Sequence, residues 1–130
     1  MKIQIPILHQ EIVNNTIVST ETQLEVNLDT SVYSEERWEQ NFPLMAQKEG
    51  LFQYIERIHK AHQDPNADHR VSVISMLKAI YCFLDFEVPM DYKSFCKLFN
   101  LAQAEYATKL INSLKNAFQL ILGSSSVKNL

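Results

Sequence analysis

Between His69 and Phe86 the chain reads HRVSVISMLKAIYCFLDF. Val71, Val73, Ile74, Met76, Leu77, Ile80, Tyr81, Phe83 and Leu84 leave only Lys78 and a few small residues for water. A helix that is apolar nearly all the way round has to be enclosed by other elements. The segment is therefore expected to be the centre of the fold, with Asp68 as its cap, and the rest of the chain has to supply its walls.

The flanking segments carry helical signals. Ser34 reads as the cap of a helix through Glu35, Glu36, Arg37 and Trp38, with Trp38 and Phe42 on one edge and Pro43 as its stop. Leu51, Ile55, Ile58 and His62 form one stripe on a helix expected over about Ala46–His62, weakened by Gly50 near its start. Asp91 caps a short helix presenting Tyr92, Phe95, Cys96 and Phe99. A last amphipathic helix over about 102–122 gathers Ala107, Leu110, Ile111, Leu114, Ala117, Phe118 and Ile121 on one face. Gly123 is expected as its C′ residue, followed by a frayed tail over 123–130.

Residues 1–30 follow a different period. KIQI and QLEVNLD alternate, and EIVNNTIVS sets Asn14 and Asn15 between two β-branched pairs. Period-two apolarity round an Asn-Asn turn predicts a hairpin or small antiparallel sheet of up to three strands with one buried face. The fold class is thus α+β, mainly α: a β-rich head (1–30) and a helical body (31–122) of about five helices packed round the central one, in a single domain. Glycine is restricted to Gly50 and Gly123, too few turn formers for a β-sandwich or barrel.

Charge argues against nucleic acid as a partner. The net charge is −3, and residues 1–42 hold seven acids against Lys2 and Arg37. That acidic head on a near-neutral body reads either as a solvated surface or as a bias toward head-to-tail self-association. No apolar run approaches the roughly 18–20 residues of a membrane span, and no secretory signal is evident at the N-terminus. Cys82 and Cys96 lie in apolar patterns without a C-x-x-C, which fits buried thiols in a reducing cytosol.

The best candidate for chemistry is IHKAHQDPNADH. His59 and His62 are three apart on one helix and could face a cation, joined by Asp64, Asp68 or His69. The plainer alternative is an apolar stripe ending in His62 beside a polar loop, because H-x-x-H lacks a third ligand at any zinc-signature spacing. No phosphate loop, G-x-S-x-G or H-E-x-x-H is present. Ser124–Ser126 read as a polar tail, Cys82 as inert, and Glu35, Glu36 and Glu39 as a solvated face around Arg37. No catalytic residue, cofactor site or metal site is assigned.

The stretch Asp29-Thr30-Ser31-Val32-Tyr33, joined to Arg37-Trp38-Glu39-x-Asn41-Phe42-Pro43, follows an alternating strand and leads into LFQYIERIHK. In this order it resembles the tail assembly chaperones of long-tailed phages that infect Gram-positive bacteria. The resemblance covers most of the chain, and Tyr33, Arg37, Trp38, Phe42 and Pro43 carry it.

It implies a non-enzymatic protein of the host bacterial cytoplasm that is absent from the mature virion. Such a protein binds the long helical tape-measure protein, keeps it soluble before the tail tube polymerises, and self-associates into a ring or spiral. A frameshifted longer form that recruits the tail tube subunit also belongs to the pattern, and an A-rich tract encoding Lys128-Asn129 would suit it. Trp38 and Phe42 read first as a strut between sheet and bundle, and second as a contact to client or neighbour. For the client contact the last helix is nominated, through Ala104, Ala107, Leu110 and Leu114. The rival expectations are a small intracellular regulatory or adaptor module, a metal-dependent hydrolase using His59, His62 and Asp68, and a DNA-binding regulator, the last disfavoured by charge.

Overall fold

The computed structural model describes residues 1–62 and 69–127. Among them the fold is α+β, with a three-stranded antiparallel sheet in the order β1-β2-β3 and six helices.

The first two strands, β1 (Lys2–Val13) and β2 (Thr16–Leu28), form one long hairpin with paired residues running from Lys2↔Asn27 to Val13↔Thr16. Asn14 and Asn15 turn the chain with φ of 52° and 63°. A two-residue turn with both centres left-handed matches strand twist, and asparagine tolerates that region better than most residues. KIQI and EIV thus belong to one strand rather than two, and β3 (Leu84–Asp85) comes from far along the chain to pair Asp85 with Asn27 and Leu84 with Leu28.

Pro6 sits inside β1 without breaking the ladder. Gln4, Pro6 and Leu8 turn their backbone away from β2: the Gln4 carbonyl accepts from Ser113 Oγ at 3.0 Å and the Pro6 carbonyl from the Tyr106 hydroxyl at 2.8 Å. The Leu8 N–H donates to the Leu98 carbonyl at 3.2 Å. A proline on an outward-facing edge position forfeits no sheet bond, and the helix that carries Tyr106 and Ser113 seals that edge against other strands.

Burial in the hairpin is confined to its base. Ile3, Ile5, Leu8 and Val26 join the core, whereas residues 11–23 are exposed on both faces. Gln10 still accepts from the Asn100 side chain at 2.6 Å; at about 3.4 Å per residue, the part beyond it stands roughly 14 Å out from the body. The expectation of a single buried face does not hold: at the base Ile3 and Ile5 are buried on one face and Pro6 and Leu8 on the other, and beyond it the hairpin is an arm.

In the helical part, α1 (Val32–Asn41) starts earlier than expected. Ser31 is its N-cap, its Oγ accepting from the Tyr33 N–H at 3.3 Å, while Ser34 is buried and donates back to the Ser31 carbonyl at 2.7 Å. Phe42 leaves helical geometry ahead of Pro43, which opens the one-turn α2 (Pro43–Ala46). Proline is suited to that first position because its missing N–H would have had no helical partner. α3 (Leu51–His62) then begins only after Gly50, so Gly50 precedes the helix instead of weakening it.

Leu51, Tyr54, Ile55 and Ile58 of α3 are buried, and α4 (His69–Phe83) buries Val73, Met76, Leu77 and the run from Ala79 to Phe83. α4 touches α1, α3, α6 (Ala104–Val127) and α5 (Tyr92–Cys96). It ends at Phe83, three residues short of the expected Phe86, because Leu84 and Asp85 are drawn onto the edge of β2. α5 is capped as expected: the Asp91 carboxylate accepts from the Ser94 N–H at 2.7 Å. α6 runs on past Gly123 to Val127, so Gly123 is not a helix stop. No helix among the described residues is long and apolar enough to cross a membrane.

Candidate functional site

Within the stretch Asp29–Pro43, Asp29, Glu35 and Arg37 hold helix ends. The last carbonyls of a helix have no partner within it. At the end of α4, the Phe83 carbonyl accepts from the Asp29 N–H at 2.7 Å, and the Cys82 carbonyl accepts from Arg37 Nε at 2.7 Å. A guanidinium is well placed there, against the negative end of the helix dipole. Arg37 also reaches Asp29 Oδ2 at 3.4 Å and lies over the Tyr33 ring at 4.9 Å. Hydrogen bonds from the Ser31 side chain and backbone, with the Arg37 charge beside them, hold the Asp29 carboxyl below its ordinary pKa.

The first turn of α1 also grips α3. Both Glu35 carboxylate oxygens accept from the Leu51 N–H, at 3.1 and 3.0 Å. An acid at a helix N-terminus satisfies an orphan donor and meets the positive end of the dipole. Glu35 is therefore a cap for α3 and not part of a merely solvated face.

Trp38 is wholly buried. Its indole N–H donates to the Glu49 carbonyl at 3.0 Å, and its rings lie 4.7 Å from Tyr54 and 5.5 Å from Phe42. Phe42 in turn meets Tyr92 edge-on at 5.0 Å. The ring partners of Trp38 come from α3 and from its own helix end, so the strut stands within the helical part rather than between sheet and bundle. An indole sealed in this way is not presented to a client.

The nominated client face divides in the same manner. Ala104 is exposed and Ala107 half-buried, but Leu110 and Leu114 are fully buried against the core and face no outside partner. Phe95 and Phe99 are core residues too, stacked edge-on at 5.0 Å.

For the metal candidate, His59 is half-buried on α3. Asp64 and Asp68 lie outside the described residues, as do the side chains of His62 and His69. Among the described residues no group of three or more His, Cys, Asp or Glu side chains could hold a metal ion. Burial pushes the Cys82 thiol up to about 12, which keeps it protonated and unreactive.

The sequence reading did not single out the arm. Ile12, Val13, Ile17 and Val18 near its tip are exposed. Its signal was present: from Ile12 to Thr20 there is no charged side chain, and no other segment offered a second layer to cover it. At the arm's base, where the chain leaves β3, an open groove of about 370 Å³ lies along β2, with Leu24, Val26, Phe86 and Val88 in its walls.

Compared with protein-family models, with curated proteins and with solved structures, the chain finds no match in any of the three.

Proposed function

We propose that the chain is a phage tail assembly chaperone, a non-enzymatic protein that binds and solubilises the helical tape-measure protein before the tail tube polymerises. The observation that carries this reading is the stretch Asp29–Pro43. Within it Arg37 holds the end of α4 and Trp38 the chain just before α3, while Glu35, which the resemblance does not include, caps α3; part of the likeness thus lies in residues with a joint task. An α+β body with six helices among the described residues, and an arm with exposed Ile12, Val13, Ile17 and Val18, supports the reading as well. Covering an exposed aliphatic side chain is worth roughly 1.5–3 kcal/mol, and a reversible chaperone needs many such modest contacts along a long client.

In this reading the protein self-associates into a ring or spiral in the host bacterial cytoplasm and is left behind when the virion matures. A frameshifted longer form recruiting the tube subunit belongs to the same proposal. The client contact is sought on exposed surface, which keeps Ala104 as a candidate and removes Leu110 and Leu114.

Co-expression with a long polypeptide bearing amphipathic helical stripes tests the proposal. The expected outcome is a soluble, co-migrating complex of large mass, and aggregation of the client at the same level with and without this protein would overturn it. The exposed arm would equally serve a small regulatory or adaptor module. That second reading expects a monomer or dimer with no effect on client solubility.

A further inference from the structure

The register of the hairpin shows where the sheet is left open. Gln4 stands opposite Glu25 and Pro6 opposite Gln23, and both β1 residues turn their carbonyls outward, to Ser113 and Tyr106. Directly opposite residues of an antiparallel pair either exchange both backbone bonds or both point away. Gln23 and Glu25 therefore turn their N–H and C=O groups to the outer side of β2. β3 pairs only with Asn27 and Leu28, and among the described residues no backbone bond reaches Gln23 or Glu25 from that side. The base of β1 is sealed by α6; this stretch of β2 is bare.

The groove of about 370 Å³ runs along the bare stretch, and its two sides differ in chemistry. Leu24 and Val26 share one face of β2 by alternation. Val26 is already buried, whereas Leu24 is half-buried and Val88, also in the wall, is 78% exposed. The other face carries charge. Asp85 is the cross-strand partner of Asn27, so Asp85 and Glu25 project on the same side of the sheet. Glu87 lines the groove as well. Lys2 is the one cation among the lining residues and is 3.4 Å from Glu25. Among the described residues neither Asp85 nor Glu87 has an ion-pair partner. Three acids against one lysine leave two negative charges unbalanced.

An edge of this composition is selective. A bare edge is a template for any extended chain, but like charges set opposite one another destabilise a sheet and opposite charges stabilise it. The same edge of a second copy would bring its own Glu21 and Glu25 against Glu25 and Asp85, and is disfavoured. An extended segment with Lys or Arg at alternate positions, and aliphatic residues between them, meets both faces at once. Its period of two is that of the strand it joins. We propose that the groove binds such a segment of another protein, basic and aliphatic in alternation, which adds to β2 as a strand where β3 ends. Its backbone satisfies Gln23 and Glu25, its cations stand against Asp85 and Glu87, and its aliphatic residues cover Leu24 and Val88. The contact is separate from the helical client put forward above, since a strand edge reads an extended backbone. A strand of about five residues falls far short of the roughly 20–30 per side of a stable interface. Binding is therefore weak, reversible and sensitive to salt.

Fluorescence polarisation on the full chain, with labelled seven-residue peptides, tests the assignment. The probe alternates lysine and valine. One control alternates glutamate and valine, and the other holds the residues of the probe in two blocks. The wild type is expected to bind the probe, less tightly as salt rises, and to bind both controls at least about tenfold more weakly. Glu25→Gln combined with Glu87→Gln, both at exposed positions, should weaken binding of the probe several-fold, with circular dichroism as the check on folding. The amides of Gln23 and Glu25 should gain protection from hydrogen exchange when the probe is saturating, because they acquire carbonyl partners. Binding without that protection overturns strand addition. Equal affinity for the block peptide overturns it too, since that result means attraction of opposite charges alone. A double variant that binds like the wild type places the site elsewhere, and a probe that does not bind at all removes the site; each overturns the proposal. None of these outcomes touches client solubility, on which the chaperone reading stands or falls.

Discussion

The Tyr106 hydroxyl on α6 donates to the Pro6 carbonyl on β1 at 2.8 Å, joining residues 100 apart in sequence at a wholly buried site. The bond closes the one position of the edge strand that has a carbonyl to satisfy and no N–H to offer. Burial raises the phenol's pKa, so it remains a donor through the neutral range.

Tyr106→Phe removes this donor without changing the ring. A buried carbonyl left without a partner costs about 1–3 kcal/mol, and urea unfolding should show a lower midpoint with an unchanged slope. Hydrogen exchange should quicken along the first half of β1. A midpoint equal to wild type would mean that the Pro6 carbonyl finds another donor.

Trp38 separates packing from hydrogen bonding. Trp38→Phe keeps an aromatic ring beside Tyr54 but strands the Glu49 carbonyl, whereas Trp38→Ala also opens a cavity and is expected to cost about 3–5 kcal/mol. Chemical denaturation of both variants should rank them wild type, Phe, Ala. The wild-type emission maximum should be blue-shifted, as suits an indole with no exposed surface.

Asp29 predicts an acid limb. Its folded pKa is lowered, first by Ser31 and further by Arg37, so its stabilising effect is present above the unfolded value, about 3.9. It is lost as pH falls through the lower folded value. The difference in melting temperature between wild type and Asp29→Asn should therefore be largest at neutral pH and shrink below about pH 4. A difference that stays constant across that range would assign the effect of the substitution to packing.

Gly123 lies inside α6, with nothing within 4 Å of where a Cβ would be. Gly123→Ala should raise stability, by up to about 1 kcal/mol, and add helical signal at 222 nm. Destabilisation would argue that the helix ends at Leu122.

The helices α3 and α6 were legible from an apolar stripe at period 3.6 and α4 from its near-continuous apolarity, whereas the one-turn α2 after Pro43 was not; the Asn14–Asn15 turn was legible because few other dipeptides accept two left-handed residues. Local competition hid the rest. Ser31 and Ser34 are equally good caps on paper, and only the burial of Ser34 decides between them. Leu84-Asp85 belongs to an apolar helical run until a distant strand edge claims it. Gly123 looks like a stop by type, yet nothing in the packing requires one. Alternation in β2 showed which positions are apolar but not whether a second layer exists to cover them, so the arm went unseen. Arg37 stood out in the sequence only through a resemblance, and its task at the end of α4 needed the tertiary contacts.

The seal on β1 also has a timetable. Gln4 leaves the ribosome long before Ser113, its partner at a separation of 109 residues. At about 5–20 residues per second, the first strand waits on the order of 5–20 seconds with its outer rim bare. Nascent chains translated side by side on one message are most open to cross-pairing in that interval, so slow translation should harm the yield of this protein more than dilution of the finished product helps it.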